Sequence, residues 1–259
     1  MSTFTVLSKK EFTQQVRDFK IIWLPLVFIL LGLTQPIMMY YLPMILNAVG
    51  GVEGITLDPS LTKVEGTEIL ASTLSSQFDQ LGIIILVVAL MSIVQNDQAN
   101  GMMAFILSRP VTVFSYVSSK IVSHYVLVVV SVWLGFTVSY GYANYLFTTI
   151  PFTKMFLTIL LYSVWLLFVV TLVTMMSTIF NSQAFIAMIS LFVLLVLRMI
   201  VGLHPIMLLI NPAGASVRAA SFLSTGEIGD GWLVNILIVF LLVLLMVGYT
   251  NYRIRKKRF

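Results

Sequence analysis

Long apolar runs separated by short polar segments make up most of this chain. A helix needs about 20 predominantly apolar residues to cross a bilayer core. Six segments meet this length, at residues 21–42, 77–96, 121–142, 153–180, 184–203 and 232–249. In the second segment the continuous apolar part is short, so we expect Asp79 and Gln80 to lie at the outer interface. The pattern predicts an all-α membrane protein with six transmembrane helices.

The segment before the first predicted span has the pattern of an amphipathic helix. Ser8 precedes Glu11 by three residues, as in a helical capping box. Apolar side chains then recur at i, i+4 and i+7, with a basic residue on another face: Phe12, Val16 and Phe19, and Arg17. Such a helix suits the interfacial region of a bilayer. The alternative is a soluble segment with a few contacts to anionic lipids.

The polar segment between the second and third predicted spans carries another amphipathic stripe. An i, i+3, i+4, i+7 spacing places apolar side chains on one helical face, with an aromatic side chain beside them: Ala99, Met102, Met103, Ile106 and Phe105. Pro110 disfavours helical geometry at Arg109, so we expect this helix to end near Ser108. A short helix held between two spans transmits a push from a soluble partner, because it moves only if both spans move. The alternative is an interfacial loop whose side chains rest among lipid headgroups.

Two further segments are too short or too polar to span a bilayer. We interpret residues 204–231 as one or two helices that dip into the outer leaflet or cap a pathway, with a turn at Asn211, Pro212 and Gly214. An external loop over the bundle is the alternative. Residues 43–76 are expected to form a long external loop.

Composition and charge agree with a membrane protein and indicate its orientation. Hydrophobic residues make up 59% of the chain, charged residues 10%, and the mean hydropathy is +1.02, far from the balance of a soluble domain. With a cytoplasmic N-terminus, most lysines and arginines are cytoplasmic, and the exceptions outside are Lys63, Lys154 and Arg218. We therefore expect both termini in the cytoplasm and a single membrane domain over residues 1–259. The formal charge of +5 then reflects membrane topology rather than nucleic-acid binding.

The sequence offers few residues for catalysis or metal binding. It has no cysteine, which excludes disulfides and cysteine-based zinc sites. His124 and His204 fall near opposite membrane faces, so they do not share a metal. It contains no P-loop motif and no hydrolase motif. We expect a protein with no catalytic site, cofactor or metal of its own.

Arg198 is the only charge placed well within a predicted span. One interpretation is that Arg198 lines a pathway, where it binds an anionic substrate or pairs with a carboxylate of another subunit. The other is that its side chain extends to the headgroups near the outer end of the fifth helix. The headgroup interpretation is favoured. The hydroxyl side chains of the fourth span either line a polar path or support helix packing, and packing is favoured. They are Thr158, Ser163, Thr171, Thr174, Ser177 and Thr178.

Residues 97–120 resemble the signature of the ABC-2 type permeases, the membrane subunits of one large group of ABC transporters. In that signature an acid and a glycine precede a Pro-Val-Ser and then a lysine. The matching positions are Asp97, Gly101, Pro110 to Thr112 and Lys120, without a gap. "LSRPV" and "INPAG" look most like bacterial permeases near those of the copper-enzyme maturation type. The plan of six spans with an N-terminal interfacial helix is similar over nearly the whole chain.

The resemblance implies a permease that binds no nucleotide itself. Two copies, or one copy and a related permease, would pair in a bacterial plasma membrane, and each would dock a cytoplasmic ABC ATPase subunit that holds ATP and Mg. A coupling helix would enter the ATPase, with contacts from Asp97, Gln98, Gly101, Met102, Met103, Phe105 and Ile106. Arg109, Pro110 and Lys120 would form the turn and the membrane interface, while the N-terminal helix with Glu11 would add contacts to the ATPase and to membrane lipids.

The expected function is ATP-driven transport of a hydrophobic or amphipathic substrate, such as a peptide, drug or lipid-like molecule, with export as the direction. A secondary transporter is one alternative, although such proteins normally carry intramembrane carboxylates, which the predicted spans lack. A membrane immunity or sensing protein that transports nothing is the other alternative.

Overall fold

The computed structural model describes residues 3–48 and 65–256. Within these ranges the chain is helical and contains no strand. The α-helices are α1 (Thr3–Arg17), α2 (Lys20–Ala48), α3 (Gly66–Ser72), α4 (Ile83–Leu90), α5 (Gln95–Ala99), α6 (Met102–Leu107), α7 (Val113–Leu146), α8 (Phe152–Ile179), α9 (Gln183–Ile200), α10 (Pro205–Ile210), α11 (Gly214–Thr225) and α12 (Trp232–Lys256). A π-helix, Thr73–Gly82, joins α3 to α4.

Six helical stretches in the described ranges are long and apolar enough to cross a membrane. They are Lys20–Ile45, Gly66–Ala99, Val113–Leu146, Phe152–Ile179, Gln183–Ile200 and Trp232–Lys256. Each overlaps one of the predicted spans, so the prediction of an all-α protein with six transmembrane helices is confirmed. We refer to these stretches below as spans one to six.

Span two is much longer than predicted. It begins at Gly66, and α2 continues to Ala48, so the predicted loop over residues 43–76 is wrong at both ends; its middle, residues 49–64, lies outside the described residues. The extra turns are rich in serine and threonine, which lower the mean hydropathy of the segment and so hide it from a prediction based on apolar runs. Ser72 and Thr73 both donate to the Ile69 carbonyl oxygen at 2.8 Å, and hydroxyls satisfied in this way are tolerated in a buried helix.

Spans one and three pack closely through two glycines. A Cβ atom added at Gly32 would overlap the backbone of Gly135, and one added at Gly135 would overlap the backbone of Phe28. Small residues let membrane helices approach one another and gain van der Waals contact. Pro25, Pro36 and Pro43 all lie inside α2, which continues past them.

Span four occupies the centre of the described bundle. Its most apolar window is 72% buried, against 22% for spans five and six. Its hydroxyl side chains bond to backbone atoms: Thr171 donates to the Leu167 carbonyl, and Ser177 donates to the Met91 carbonyl of span two while accepting from the Val94 N–H. These contacts support the packing interpretation of the serines and threonines in this span.

The bundle has two ends that carry different helices. Gln183, at the start of α9, donates to Gln95 of α5 at 2.8 Å, so span five begins near α5 and α6 and ends near α10 and α11. Asn235, at the start of α12, donates to the Leu209 carbonyl at 2.8 Å, so span six runs back from the second end to the first. We call these the α6 end and the α11 end.

The segment at the α11 end contains two short helices, as predicted for residues 204–231. The turn between α10 and α11 lies where it was expected, because the Asn211 side chain accepts from the Ala213 N–H at 2.9 Å and donates to the Leu197 carbonyl at 2.7 Å. In α11, Arg218 is buried and donates to the Ile228 carbonyl at 3.2 Å. Burial lowers the pKa of the Arg218 guanidinium, and the charge of Asp230 opposes that effect.

Candidate functional site

The stripe predicted as a single helix is divided between two short helices, α5 at the end of span two and α6 in the connection to span three. α5 ends at Ala99 and α6 begins at Met102, and Gly101 between them has a φ of 68°. Glycine adopts this left-handed conformation readily because it has no Cβ. α6 ends at Leu107, so the expected stop near Ser108, before Pro110, is confirmed. α7 then starts at Val113, where the Thr112 side chain accepts from the Ser115 N–H at 3.2 Å.

The apolar stripe of this segment divides between the interior and the surface. Met103 is fully buried and Ile106 is 9% exposed, whereas Met102 is 42% and Phe105 is 58% exposed. Gln98 is half-buried. The exposed part of the predicted ATPase-contact set in α6 therefore consists of Met102 and Phe105.

A largely buried cluster of charges joins α1, α5 and α7 next to α6. Its members are Lys10 and Glu11 of α1, Asp97 of α5, and Tyr116 and Lys120 of α7, which we call the ion-pair junction. The Lys120 ammonium lies 2.8 Å from Asp97 Oδ2 and 3.1 Å from Glu11 Oε2. Lys10 lies 2.9 Å from Glu11 Oε1 and 3.5 Å from Asp97 Oδ2, and the Tyr116 hydroxyl donates to Asp97 at 2.8 Å.

The two negative charges of Glu11 and Asp97 are neutralised in the junction by the two positive charges of Lys10 and Lys120. Lys120 and Glu11 are almost completely buried, with side chains 1% and 3% exposed. Lys120 also donates to the Ile93 carbonyl at 2.8 Å. Burial by itself lowers the pKa of Lys10, but the charges of Glu11 and Asp97 outweigh it and raise that pKa above its usual value. Removing one member of such a buried pair leaves an uncompensated charge, at a cost of about 3–5 kcal/mol.

The junction corrects the interpretation of the N-terminal helix. α1 begins at Thr3, so Ser8 lies inside the helix rather than at its start, and the predicted capping box is wrong. Glu11 instead binds Lys120, 109 residues away. Phe12 and Val16 are exposed on α1, as is Arg17, and Phe19 follows the helix with a φ of 56°. The exposed aromatic and aliphatic side chains agree with the amphipathic pattern.

An exposed surface covers the junction. A groove of about 480 Å³ runs between the start of α1 and α6. Its exposed lining residues are Thr3, Val6, Met102, Phe105, Arg109 and Pro110, which we call the α1–α6 face. The guanidinium of Arg109 lies 4.8 Å from the centre of the Phe105 ring, a cation–π distance. Lys10 lines the groove as well, and its junction partners Asp97, Glu11 and Lys120 join α1 to the helices on either side of α6.

A second pair of charges lies at the α11 end. Arg198 Nη2 of span five is 2.9 Å from Asp79 Oδ2 of span two, and Arg198 Nη1 donates to the Ser216 hydroxyl. The Asp79 side chain is 1% exposed. Asp79 was expected at the outer interface, and the structure places its side chain within span two, buried against Arg198. The expectation that the spans lack a carboxylate is therefore wrong. Arg198 therefore pairs with a carboxylate of its own chain, whereas the sequence indicated only a substrate, another subunit or the headgroups as its partner.

The two histidines lie apart, as expected from the sequence. His124, in α7, donates from Nδ1 to the Lys120 carbonyl at 2.9 Å, and His204 caps α10 by accepting from the Ile206 N–H at 3.2 Å. In the described ranges there is no group of three His, Cys, Asp or Glu side chains placed to hold a metal ion.

Comparison with known proteins agrees with this architecture. A relative, "Uncharacterized transmembrane protein YxlG" of Bacillus subtilis (strain 168), is 33% identical over 259 residues, which is 99% of this chain and 98% of the relative. Together with the six apolar helices, it supports a multi-pass membrane protein. A family model described as "ABC-2 family transporter protein" matches residues 5–257. Because that match covers nearly the whole chain, the protein belongs to the ABC-2 family of transporter proteins.

Proposed function

We propose that this chain is the permease subunit of an ATP-driven exporter and that it docks a cytoplasmic ABC ATPase subunit through the α1–α6 face. Membership of the ABC-2 family implies a transport subunit that works with such an ATPase. The ATPase supplies ATP and Mg binding. Two permease copies, or this chain and a related one, pair in the plasma membrane, each with one ATPase subunit.

The ion-pair junction is the observation that carries this proposal. It ties three parts of the chain together: α1, the end of span two through Asp97, and the start of span three through Lys120. Because breaking a buried pair costs about 3–5 kcal/mol, these parts move as one body. A push on the exposed Met102 and Phe105 therefore reaches two spans at once.

The charge distribution supports a cytoplasmic α6 end. The basic residues near this end include Lys9, Lys10, Arg17 and Arg109, and span six returns there with Arg253, Arg255 and Lys256. Loops rich in lysine and arginine remain on the cytoplasmic side of a membrane. Both termini then lie in the cytoplasm, where an ATPase is available to the α1–α6 face.

Co-purification tests the docking step. The chain is co-expressed with a candidate ABC ATPase subunit, and the complex is placed in lipid nanodiscs for assays of ATP hydrolysis. We expect wild type to retain the ATPase and the double variant Met102→Asp/Phe105→Asp to lose it. Tyr145→Asp is the matched control, because Tyr145 is 84% exposed at the opposite end of α7. Equal retention by all three proteins would contradict docking through this face.

The buried Asp79 gives a secondary transporter some support as a second candidate. Ionisable residues inside spans mark ion pathways in such proteins, although the Arg198 guanidinium at 2.9 Å already neutralises this carboxylate. Substrate flux in proteoliposomes separates the two functions. Flux that requires both the ATPase and ATP supports the exporter, whereas flux driven by a proton or sodium gradient without ATP supports the secondary transporter. No flux under either condition supports the immunity or sensing alternative.

A further inference from the structure

A mostly apolar cavity of about 330 Å³ lies between span two and span five at the α11 end. Ile84 and Leu195 contribute to its aliphatic walls, Trp165 of span four lines it, and Asp79 and Arg198 provide its charged groups. Ligand pockets occupy roughly 300–1,000 Å³ and combine apolar walls with a few placed polar groups. This cavity fits that description at the small end of the range.

Arg198 is the charged group that a ligand in this cavity meets. Its side chain is 28% exposed, whereas that of Asp79 is 1% exposed. The guanidinium has five N–H donors, more than its contacts with Asp79 and Ser216 use. Its planar fork matches the geometry of a carboxylate or a phosphate.

We propose that this cavity binds the head of an anionic amphiphile, with a carboxylate or phosphate on Arg198 and the apolar chain against Trp165 and Ile84. Ile84 is 47% exposed and Leu195 is 59% exposed, so a chain longer than the cavity extends between the two spans towards lipid. Asp79 holds Arg198 in place. It also lowers the affinity for an anion by partly neutralising the guanidinium, which allows the ligand to leave again.

The proposed ligand identifies a class of cargo for the exporter. Only this role as cargo rests on the proposed function. Binding is measured on the permease without an ATPase. A negative result therefore leaves docking through the α1–α6 face untouched, and a failed docking experiment leaves the binding result untouched.

Fluorescence quenching of Trp165 tests the site directly. The chain has four tryptophans, and the variant Trp23→Phe/Trp133→Phe/Trp232→Phe keeps Trp165 alone. In phosphatidylcholine nanodiscs, 11-bromoundecanoate is compared with 11-bromoundecanol, which carries the same bromine and chain without the acid. A second variant keeps Trp23 as its single tryptophan in place of Trp165. Quenching of Trp23 measures how much of each probe enters the bilayer. After this correction, we expect saturable quenching with a Kd about tenfold lower for the acid, because a charge-assisted hydrogen bond to Arg198 is gained.

A paired substitution separates recognition from folding. Asp79→Asn/Arg198→Gln removes both charges, so it leaves no unpaired charge behind, and we expect it to bind the acid and the alcohol equally. Lys154→Gln removes a positive charge at the same end of the bundle but outside the cavity lining, so we expect it to keep the preference for the acid. The proposal is overturned if wild type shows no preference, or if the paired variant keeps that preference.

Brominated lipids identify the source of the anion. Nanodiscs of brominated phosphatidylglycerol are compared with nanodiscs of brominated phosphatidylcholine. Undecanoate without bromine is then added as a competitor. If phosphatidylglycerol quenches Trp165 more strongly than phosphatidylcholine does and undecanoate does not reverse this quenching, the site binds a lipid. Displacement by undecanoate supports a free amphiphile, and equal quenching by the two lipids together with no acid preference overturns the proposal.

Discussion

The ammonium group of Lys120 lies 2.8 Å from the carboxylate of Asp97, and both side chains are buried. Lys120 is in the helix that forms span three, and Asp97 is in the last turns of span two. The ion pair thus closes the connection that contains α6, because Asp97 precedes α6 and Lys120 follows it. The same ammonium group also binds Glu11 of α1 at 3.1 Å, so one lysine holds three helices together.

Replacing Lys120 by Met should destabilise the protein by about 3–5 kcal/mol, because Asp97 and Glu11 would keep their charges with Lys10 as their remaining partner in the junction. Thermal unfolding of the purified protein in nanodiscs measures the change. Lys9→Met is the matched control, since Lys9 is an exposed lysine on the same helix as Glu11. An equal effect of the two substitutions would show that the junction contributes no stability.

The conformation of Gly101 makes a second prediction. An added Cβ meets nothing within 4 Å, and the φ of 68° is unfavourable for other residues, so Gly101→Ala costs about 1–2 kcal/mol through the backbone alone. Gly101→Asn should cost less, because asparagine tolerates this region.

Gly141→Ala is the control for this position. Gly141 also has open space around its Cα, but it lies inside α7, where alanine is favoured over glycine by roughly 0.5–1 kcal/mol. The two Gly→Ala substitutions should therefore shift the unfolding temperature in opposite directions. Shifts of the same sign would contradict the backbone explanation.

The number of spans follows from the sequence because it depends on local composition. Each apolar run of about 20 residues has one way to satisfy its backbone in a bilayer, and the six runs all form helices. Gly66–Ser76 was missed because its serines and threonines lower the hydropathy of turns that are helical and partly buried.

The charged contacts do not follow from local pattern because their partners are distant in the sequence. Glu11 has the spacing of a capping box, yet its partner Lys120 is 109 residues away. The local pattern predicts that Asp79 lies at the membrane interface, because no neighbouring residue in the sequence indicates that Arg198 packs against it. Gly101 likewise interrupts a stripe whose periodicity, taken alone, predicts one continuous helix.

The contact between spans one and three makes a third prediction. Gly135→Ala places a Cβ against the backbone of Phe28, where no flexible side chain can move aside, so the spans must separate and lose packing. We expect a loss of about 1–3 kcal/mol, the range for overpacked interiors. Gly248→Ala is the control, because Gly248 lies inside α12 with nothing within 4 Å of an added Cβ. Unfolding in nanodiscs measures both, and a neutral Gly135→Ala would contradict the close approach.

The Asp79–Arg198 pair makes the last prediction, a strongly non-additive double-mutant cycle. Arg198→Gln alone leaves the carboxylate of Asp79 buried without its guanidinium, and we expect a loss of about 3 kcal/mol, towards the low end for buried pairs because Arg198 is 28% exposed. Asp79→Asn alone is expected to cause a smaller loss of stability. The guanidinium keeps its contact with Ser216, and its side chain is partly exposed in the cavity. The double variant should be more stable than Arg198→Gln, because no charge is left unpaired, whereas independent sites would give the sum of the two losses. Unfolding of the four proteins in nanodiscs of the same lipid gives the interaction energy directly, and simple additivity would mean that the two side chains do not stabilise one another.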